Sequence, residues 1–208
     1  MVKVKVCGIT SAADAVKAVE FGADALGFNF YSPSPRYIAP ERAREILLDL
    51  PRGLCKAALF VNEPREAVRR VIEVCSGAGG APLFTALQFH GDEAPEDCRG
   101  WNFKLIKAFR IKDENSVDNI DLFPADFYLL DSWHPGYGGS GEAFPWHWAR
   151  RLKADRLILA GGLDVENVTE AIRTVHPYGV DVCTGVEAKP GIKDHEKLKR
   201  FIDAAKAA

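Results

Sequence analysis

The chain has 208 residues, 47% apolar and 27% charged, enough for one substantial buried core. A formal net charge of -2 argues against a generic nucleic-acid or acidic-membrane binder, but not against a small anion held by local groups. No apolar run is long enough to span a bilayer and no apolar segment follows Lys3 as a signal peptide requires. The five widely spaced cysteines (Cys7, Cys55, Cys75, Cys98, Cys183) form no C-x-x-C pair, so the expectation is a cytoplasmic protein with reduced thiols.

Short apolar runs alternate with amphipathic segments from end to end. The first four strand candidates are Val2–Val6, Ala25–Phe30, Lys56–Val61 and Thr85–Phe89. Lys104–Phe109, Phe127–Leu130, Arg156–Leu159 and Val180–Val182 follow. Continuous apolar runs are what parallel strands need when both faces are covered. Helices are predicted over Ser11–Glu20, with a Ser11-x-x-Asp14 capping signal, and over Pro40–Leu50 and Pro64–Cys75, each opened by proline. Further helices are predicted over Pro145–Leu152, Val165–Val175 and Asp194–Ala207, and short helical signals occur at Ala94–Cys98 and Asn115–Ile120. Ser76–Pro82 reads as a loop. Eight strands alternating with helices predict an α/β fold: a single-domain (β/α)8 TIM barrel over residues 1–208, near the lower length limit for that fold. An open doubly wound sheet is the rival, but no G-x-G-x-x-G follows the first strand.

In a barrel, chemistry sits at the C-terminal ends of the strands. That rule selects Cys7 after strand one, Asn29 and the loop residue Arg36 after strand two, and Asn62 after strand three. It also selects Gln88 and His90 around the end of strand four, Asp131 after strand six, Gly161-Gly162 after strand seven, and Asp181 through Cys183, Thr184 and Gly185 after strand eight. Glycine turns after strands seven and eight let backbone N–H groups approach a phosphate without an obstructing Cβ. Cys7 and Asp131 form an acid/base pair once the barrel closes, the thiol favoured as thiolate by the following helix N-terminus and the carboxyl kept protonated by partial burial. The competing readings are a small buried apolar residue for Cys7 and a turn residue for Asp131. Arg36, stiffened by Pro33 and Pro35, suits a carboxylate; as a lone loop residue it also reads as a solvated surface arginine. His90 either positions a substrate polar group or satisfies a loop carbonyl. The histidines have no metal-ligand spacing, and Trp133, Trp146 and Trp148 read as packing residues, with the alternative that one lines a pocket for a ring.

Several stretches together resemble the phosphoribosylanthranilate isomerase family of tryptophan biosynthesis. They are Lys5-Val6-Cys7-Gly8-Ile9-Thr10, Ser34-Pro35-Arg36-Tyr37-Ile38, Gln88-Phe89-His90-Gly91-Asp92-Glu93 and Leu129-Leu130-Asp131. Gly138-Gly139-Ser140-Gly141, Ala160-Gly161-Gly162-Leu163, Gly179-Val180-Asp181 through Gly185-Val186-Glu187, and Pro190-Gly191-Ile192-Lys193-Asp194 complete the series in order along the chain. The resemblance implies a cofactor-free Amadori rearrangement of a small phosphosugar by a monomer or homodimer, with no nucleic-acid or membrane partner and no metal. It implies Asp131 as general acid at the ribose ring oxygen, Cys7 as general base at C2′, and Arg36 as partner of the anthranilate carboxylate. The phosphate falls to Gly161, Gly162, Cys183, Thr184 and Gly185, with Asp181 near the ribose. Cys183-Thr184 departs from the two serines usual in the family, retaining one hydroxyl.

Three alternatives remain at this stage. The related histidine-pathway isomerase typically uses aspartates after strands one and five, where this chain has Cys7 and Ala108-Phe109-Arg110. A non-catalytic phosphosugar-binding barrel would be expected to lose the acid or the base. A thiol-redox enzyme would need a partner for Cys7, which only folding could bring, in Cys183.

Overall fold

The computed structural model of the chain describes residues 1–133 and 143–208. Eight parallel strands, β1 (Lys3–Val6), β2 (Ala25–Asn29), β3 (Cys55–Phe60), β4 (Ala86–Phe89), β5 (Lys104–Ile111), β6 (Phe127–Ser132), β7 (Leu157–Leu159) and β8 (Gly179–Val182), pair in sequence order and close into a barrel. Closure is made by β1 on β8, from Lys3 opposite Gly179 to Val6 opposite Val182. The TIM barrel expected from the alternation is the fold observed.

Strand periodicity separates two cores. Val4, Val6, Leu26, Phe28, Phe60, Leu87 and Leu130 belong to the large core between the sheet and its outer layer. Intervening residues Ala57, Ala86, Ile106, Ala108, Leu129, Ile158 and Ala160 pack in the barrel interior. Four alanines among larger aliphatics fit an eight-stranded barrel, whose bore is just wide enough for side chains to fill.

The outer layer contains α1 (Ala12–Glu20), α2 (Pro40–Asp49), α3 (Arg65–Val74), α4 (Val168–Val175) and α5 (His195–Ala207). Ser11 caps α1 by accepting from Asp14 N at 3.1 Å, and Asp194 caps α5 by accepting from Glu196 N and Lys197 N, each at 3.0 Å. Pro64 stands at the N-cap of α3, one place before the predicted first turn.

The structure departs from the pattern where local turn chemistry overrides helical spacing. Pro145–Leu152 is not an α-helix; Trp146–Arg151 forms 3-10 turns. The predicted Val165 start moves to Val168, because Asp164 and Asn167 close a polar turn on each other's backbone N–H groups, each at 3.0 Å. Asn115–Ile120 divides into 3-10 turns over Glu114–Val117 and Ile120–Leu122, split by Asn119 in a left-handed conformation, and Ala94–Cys98 forms turns. These contractions reconcile eight strands with 208 residues. An unpredicted two-stranded hairpin, β9 (Glu187–Lys189) with β10 (Ile192–Lys193), follows β8. Among the described residues no helix is long and apolar enough to cross a membrane.

At the N-terminal end of the strands, Asp24 accepts from Val4 N at 2.9 Å and pairs with Lys3 and Lys206, tying β1 and the end of α5 to the start of β2. Leu129, fully buried in the interior, tests how tightly that core is filled. Leu129→Ala should lower the unfolding free energy by about 2–5 kcal/mol, read from urea denaturation; a loss below about 1 kcal/mol would mean that the bore collapses around the missing side chain.

Candidate active site

The inward-facing positions that fill the bore continue to the strand ends and there become polar. Cys7, Asn29, Arg36, His90, Asp131, Gly161, Gly162, Asp181, Cys183 and Thr184 line one cleft at this mouth. Gly185 does not line it. It lies beneath the loop after β7, where an added Cβ would collide with the Leu163 carbonyl oxygen.

Cys7 leaves β1 on the same face as Lys5, and both are buried. Lys5 Nζ bonds Asp181 Oδ1 at 2.9 Å across the β1–β8 junction. Gly27 makes room for this group: a Cβ there would stand 2.8 Å from Cys7 Sγ and 3.0 Å from Lys5 Nζ. Burial holds the Cys7 thiol above its ordinary value, and the Lys5 ammonium offsets only part of that rise. Burial likewise raises Asp181, against the opposing pull of Lys5.

On the other side of the mouth, Asp131 sits near the end of β6. Its Oδ1 accepts from Ser132 N at 2.9 Å and its Oδ2 lies 3.1 Å from His90 Nε2. Gln88 Nε2 faces His90 Nδ1 at 2.8 Å. An amide donor on Nδ1 puts the imidazole proton on Nε2, directed at Asp131. The His90 turn is held from behind. Glu93 accepts from Asn62 N and Gly91 N, each at 2.9 Å, and Lys107 Nζ bonds Glu93 Oε2 at 2.8 Å and the Gly91 carbonyl at 2.7 Å.

Arg36 reaches the cleft from the loop after β2, but it is no solvated surface arginine. Its Nε and Nη2 grip the Glu187 carboxylate, with Nη2–Oε2 at 2.8 Å, and its side chain is 14% exposed. Glu187 Oε1 also takes Lys193 Nζ at 3.2 Å and Gly191 N at 3.2 Å. Among the described residues, Nη1 is the edge of Arg36 without a protein partner. At the third side, Gly161 and Gly162 have φ of 78° and 63°. A Cβ on Gly161 would collide with Ser132, so only glycine lets this turn close onto the end of β6. The Ser132 hydroxyl beside it is buried and has no hydrogen-bond partner among the described residues.

A model of the N-(5'-phosphoribosyl)anthranilate isomerase family matches residues 4–204. The chain belongs to this family. A curated relative named N-(5'-phosphoribosyl)anthranilate isomerase, from Geotalea daltonii, is 48% identical over 208 residues, covering 99% of this chain and 97% of its own. The solved phosphoribosyl anthranilate isomerase of Thermotoga maritima is similar with a TM-score of 0.89 and 43% identity over all of both chains. A structure of a phosphoribosyl anthranilate isomerase in complex with reduced 1-(o-carboxyphenylamino)-1-deoxyribulose 5-phosphate is similar with a TM-score of 0.84 and 40% identity, again over both full chains.

Of the stretches that carry the family resemblance, Gly138-Gly139-Ser140-Gly141 lies outside the described residues. The cleft and the groups packed behind it include residues that rim position alone did not single out. Lys5 was hidden as one lysine in an apolar strand, although its spacing of two from Cys7 places both on one face. Glu187 gave no sign of pairing with a residue 151 positions earlier. Arg110 lines the cleft from the end of β5 and bonds Asp92 Oδ1 at 2.6 Å. Cys183, which the strand-end rule did select, is packed into one small apolar cluster with Cys7, Leu59, Val61 and Tyr31. Burial pushes its thiol up to about 12.

Burial raises the Glu187 carboxyl, but Arg36 and Lys193 more than offset this and hold it below its ordinary value. A carboxyl lowered on folding stabilises the fold above its unfolded pKa of about 4.3, and that contribution fades as pH falls through the folded value. Glu187→Gln should therefore cost about 3 kcal/mol at pH 7, and the gap from wild type should close below about pH 4 in urea titrations. A gap independent of pH would contradict the ion pair.

Proposed function

We propose that this chain is a phosphoribosylanthranilate isomerase of tryptophan biosynthesis, a single barrel domain acting in the cytoplasm. It converts N-(5-phosphoribosyl)anthranilate to 1-(2-carboxyphenylamino)-1-deoxyribulose 5-phosphate. The observation that carries this reading is the approach of a thiol just after β1 and a carboxyl on β6 to one cleft, between an arginine rim and glycine turns. The five free thiols suit a reducing compartment.

An aldose–ketose rearrangement needs a proton delivered to oxygen and one removed from carbon, and neither transfer calls for a cofactor. Asp131 protonates the ribose ring oxygen, and the ring opens to a Schiff base. His90, bonded to Oδ2, fixes the carboxyl's direction. Cys7, as thiolate, then removes the C2′ proton. The resulting enolamine tautomerises to the ketone. Asp181 lies beside Cys7 at the level of the ribose.

The substrate's two anions fit opposite needs of the cleft. Arg36, clamped by Glu187 through Nε and Nη2, offers its remaining edge to the anthranilate carboxylate without first having to be ordered. The phosphate is held by backbone N–H groups of the turns at Gly161, Gly162, Cys183 and Thr184, with Gly185 allowing the two loops to approach. Every group assigned comes from one chain, so monomer and homodimer can both carry the site.

Purified protein added to freshly generated phosphoribosylanthranilate should rapidly abolish the anthranilate-type fluorescence without added metal or cofactor. A folded protein that leaves the fluorescence unchanged would overturn the assignment. In the same assay Arg36→Met should raise KM about tenfold or more, for loss of a charge-assisted bond of about 1.5–3 kcal/mol; an unchanged KM would remove Arg36 from the carboxylate site.

A further inference from the structure

We propose that Lys5 is a positioning residue for catalysis: its ammonium stabilises the Cys7 thiolate, and Asp181 holds that ammonium in place. The inference rests on the reading of Cys7 as the base and adds how a buried thiol can serve as one.

The geometry starts from the strand. Lys5 on β1 and Cys7 just after its end are two residues apart, so both side chains enter the bore, and both are buried, at 4% and 7% exposure. A lysine aliphatic stem normally lets the ammonium escape to water. Here the charge is kept inside the barrel by Asp181 Oδ1, 2.9 Å away, on the strand that closes the barrel against β1. Nζ and Cys7 Sγ both lie within 3.0 Å of one point, the place a Gly27 Cβ would occupy. They are therefore separated by less than about 6 Å, the range over which an opposite charge favours the ionised form of a group. Burial alone lowers a lysine, yet Asp181 and Cys7 together hold Lys5 above its ordinary value, so the ammonium is present throughout the working range.

Other charges face the thiol from each neighbouring element. Asp181 opposes ionisation from β8, and Lys193 favours it from β10. Arg36, from the loop after β2, and Cys183, after β8, also feel the Cys7 charge. His90 and Asp131 reach the group through Asp181. Lys193 is already bonded to the Cys183 carbonyl and to Glu187 Oε1, each at 3.2 Å, and Arg36 is bonded to Glu187. Lys5 is the cation on Cys7's own strand face, and its carboxylate partner Asp181 is buried beside it where it also lines the cleft.

The test is the pH dependence of Cys7 alkylation by iodoacetamide in the free protein, followed by mass analysis of the Cys7 peptide. This readout needs no turnover, so failure of this inference and failure of the isomerase reading are separable. Lys5→Met should move the alkylation midpoint up by about one pH unit or more, with roughly tenfold slower labelling at pH 7. The kcat/KM of the same variant should fall at pH 7 and recover as pH rises. If the single variant does not fold, the double variant Lys5→Met/Asp181→Asn, which lacks the orphaned carboxylate, should show an alkylation midpoint above that of Asp181→Asn alone, and an equal or lower midpoint would overturn the proposal. An unchanged or lowered midpoint in a folded single variant would overturn the proposal, as would a loss of kcat/KM equal at every pH.

Discussion

The hydrogen-bonded register between β1 and β8 sets Lys5 opposite Asp181, and everything on that side of the cleft follows from this pairing. Strand closure alone fixes which residues become neighbours across 176 positions of chain. Shifting the register by one residue would send Asp181 out to the helical layer and leave a buried ammonium without a counter-ion, an arrangement that costs several kcal/mol. This side of the cleft therefore depends on the same constraint that closes the barrel. The small interior residues serve it too, since Gly27 is the gap into which Nζ and Sγ both project.

Around the mouth, buried charges are assembled in tight groups: Lys5 with Asp181, Lys107 with Glu93, and Arg36 and Lys193 with Glu187. Such pairs contribute little net stability compared with apolar packing, but each becomes costly to break once formed. Their value here is positional. Lys107 and Glu93 hold the turn that presents His90, Glu187 aims Arg36, and Asp181 keeps Lys5 in the bore. The polar side chains over the cleft are thus oriented before a substrate arrives, which lowers the ordering cost of binding.

Much of the fold was legible because parallel strands buried on both faces leave continuous apolar runs, and each of the eight runs became a strand. Helices capped by a side chain were legible at their starts, as Ser11 and Asp194 illustrate. Trp146–Arg151 was not, because a proline-led amphipathic segment of that length carries too few intrahelical bonds to distinguish an α-helix from 3-10 turns. Rim positions followed from the strand-end rule, which is a property of the architecture. Pairings did not: Glu187 with Arg36, or Cys183 beside Cys7, depend on closure and on the β9–β10 hairpin, which no local pattern announced.

The thiol that follows β1 and the carboxyl on β6 face one cleft. The most direct test of their proposed roles is steady-state turnover of phosphoribosylanthranilate by Cys7→Ser and Asp131→Asn, each verified as folded by a cooperative thermal transition. Each substitution should lower kcat by orders of magnitude. Near-normal kcat in either folded variant would contradict those roles.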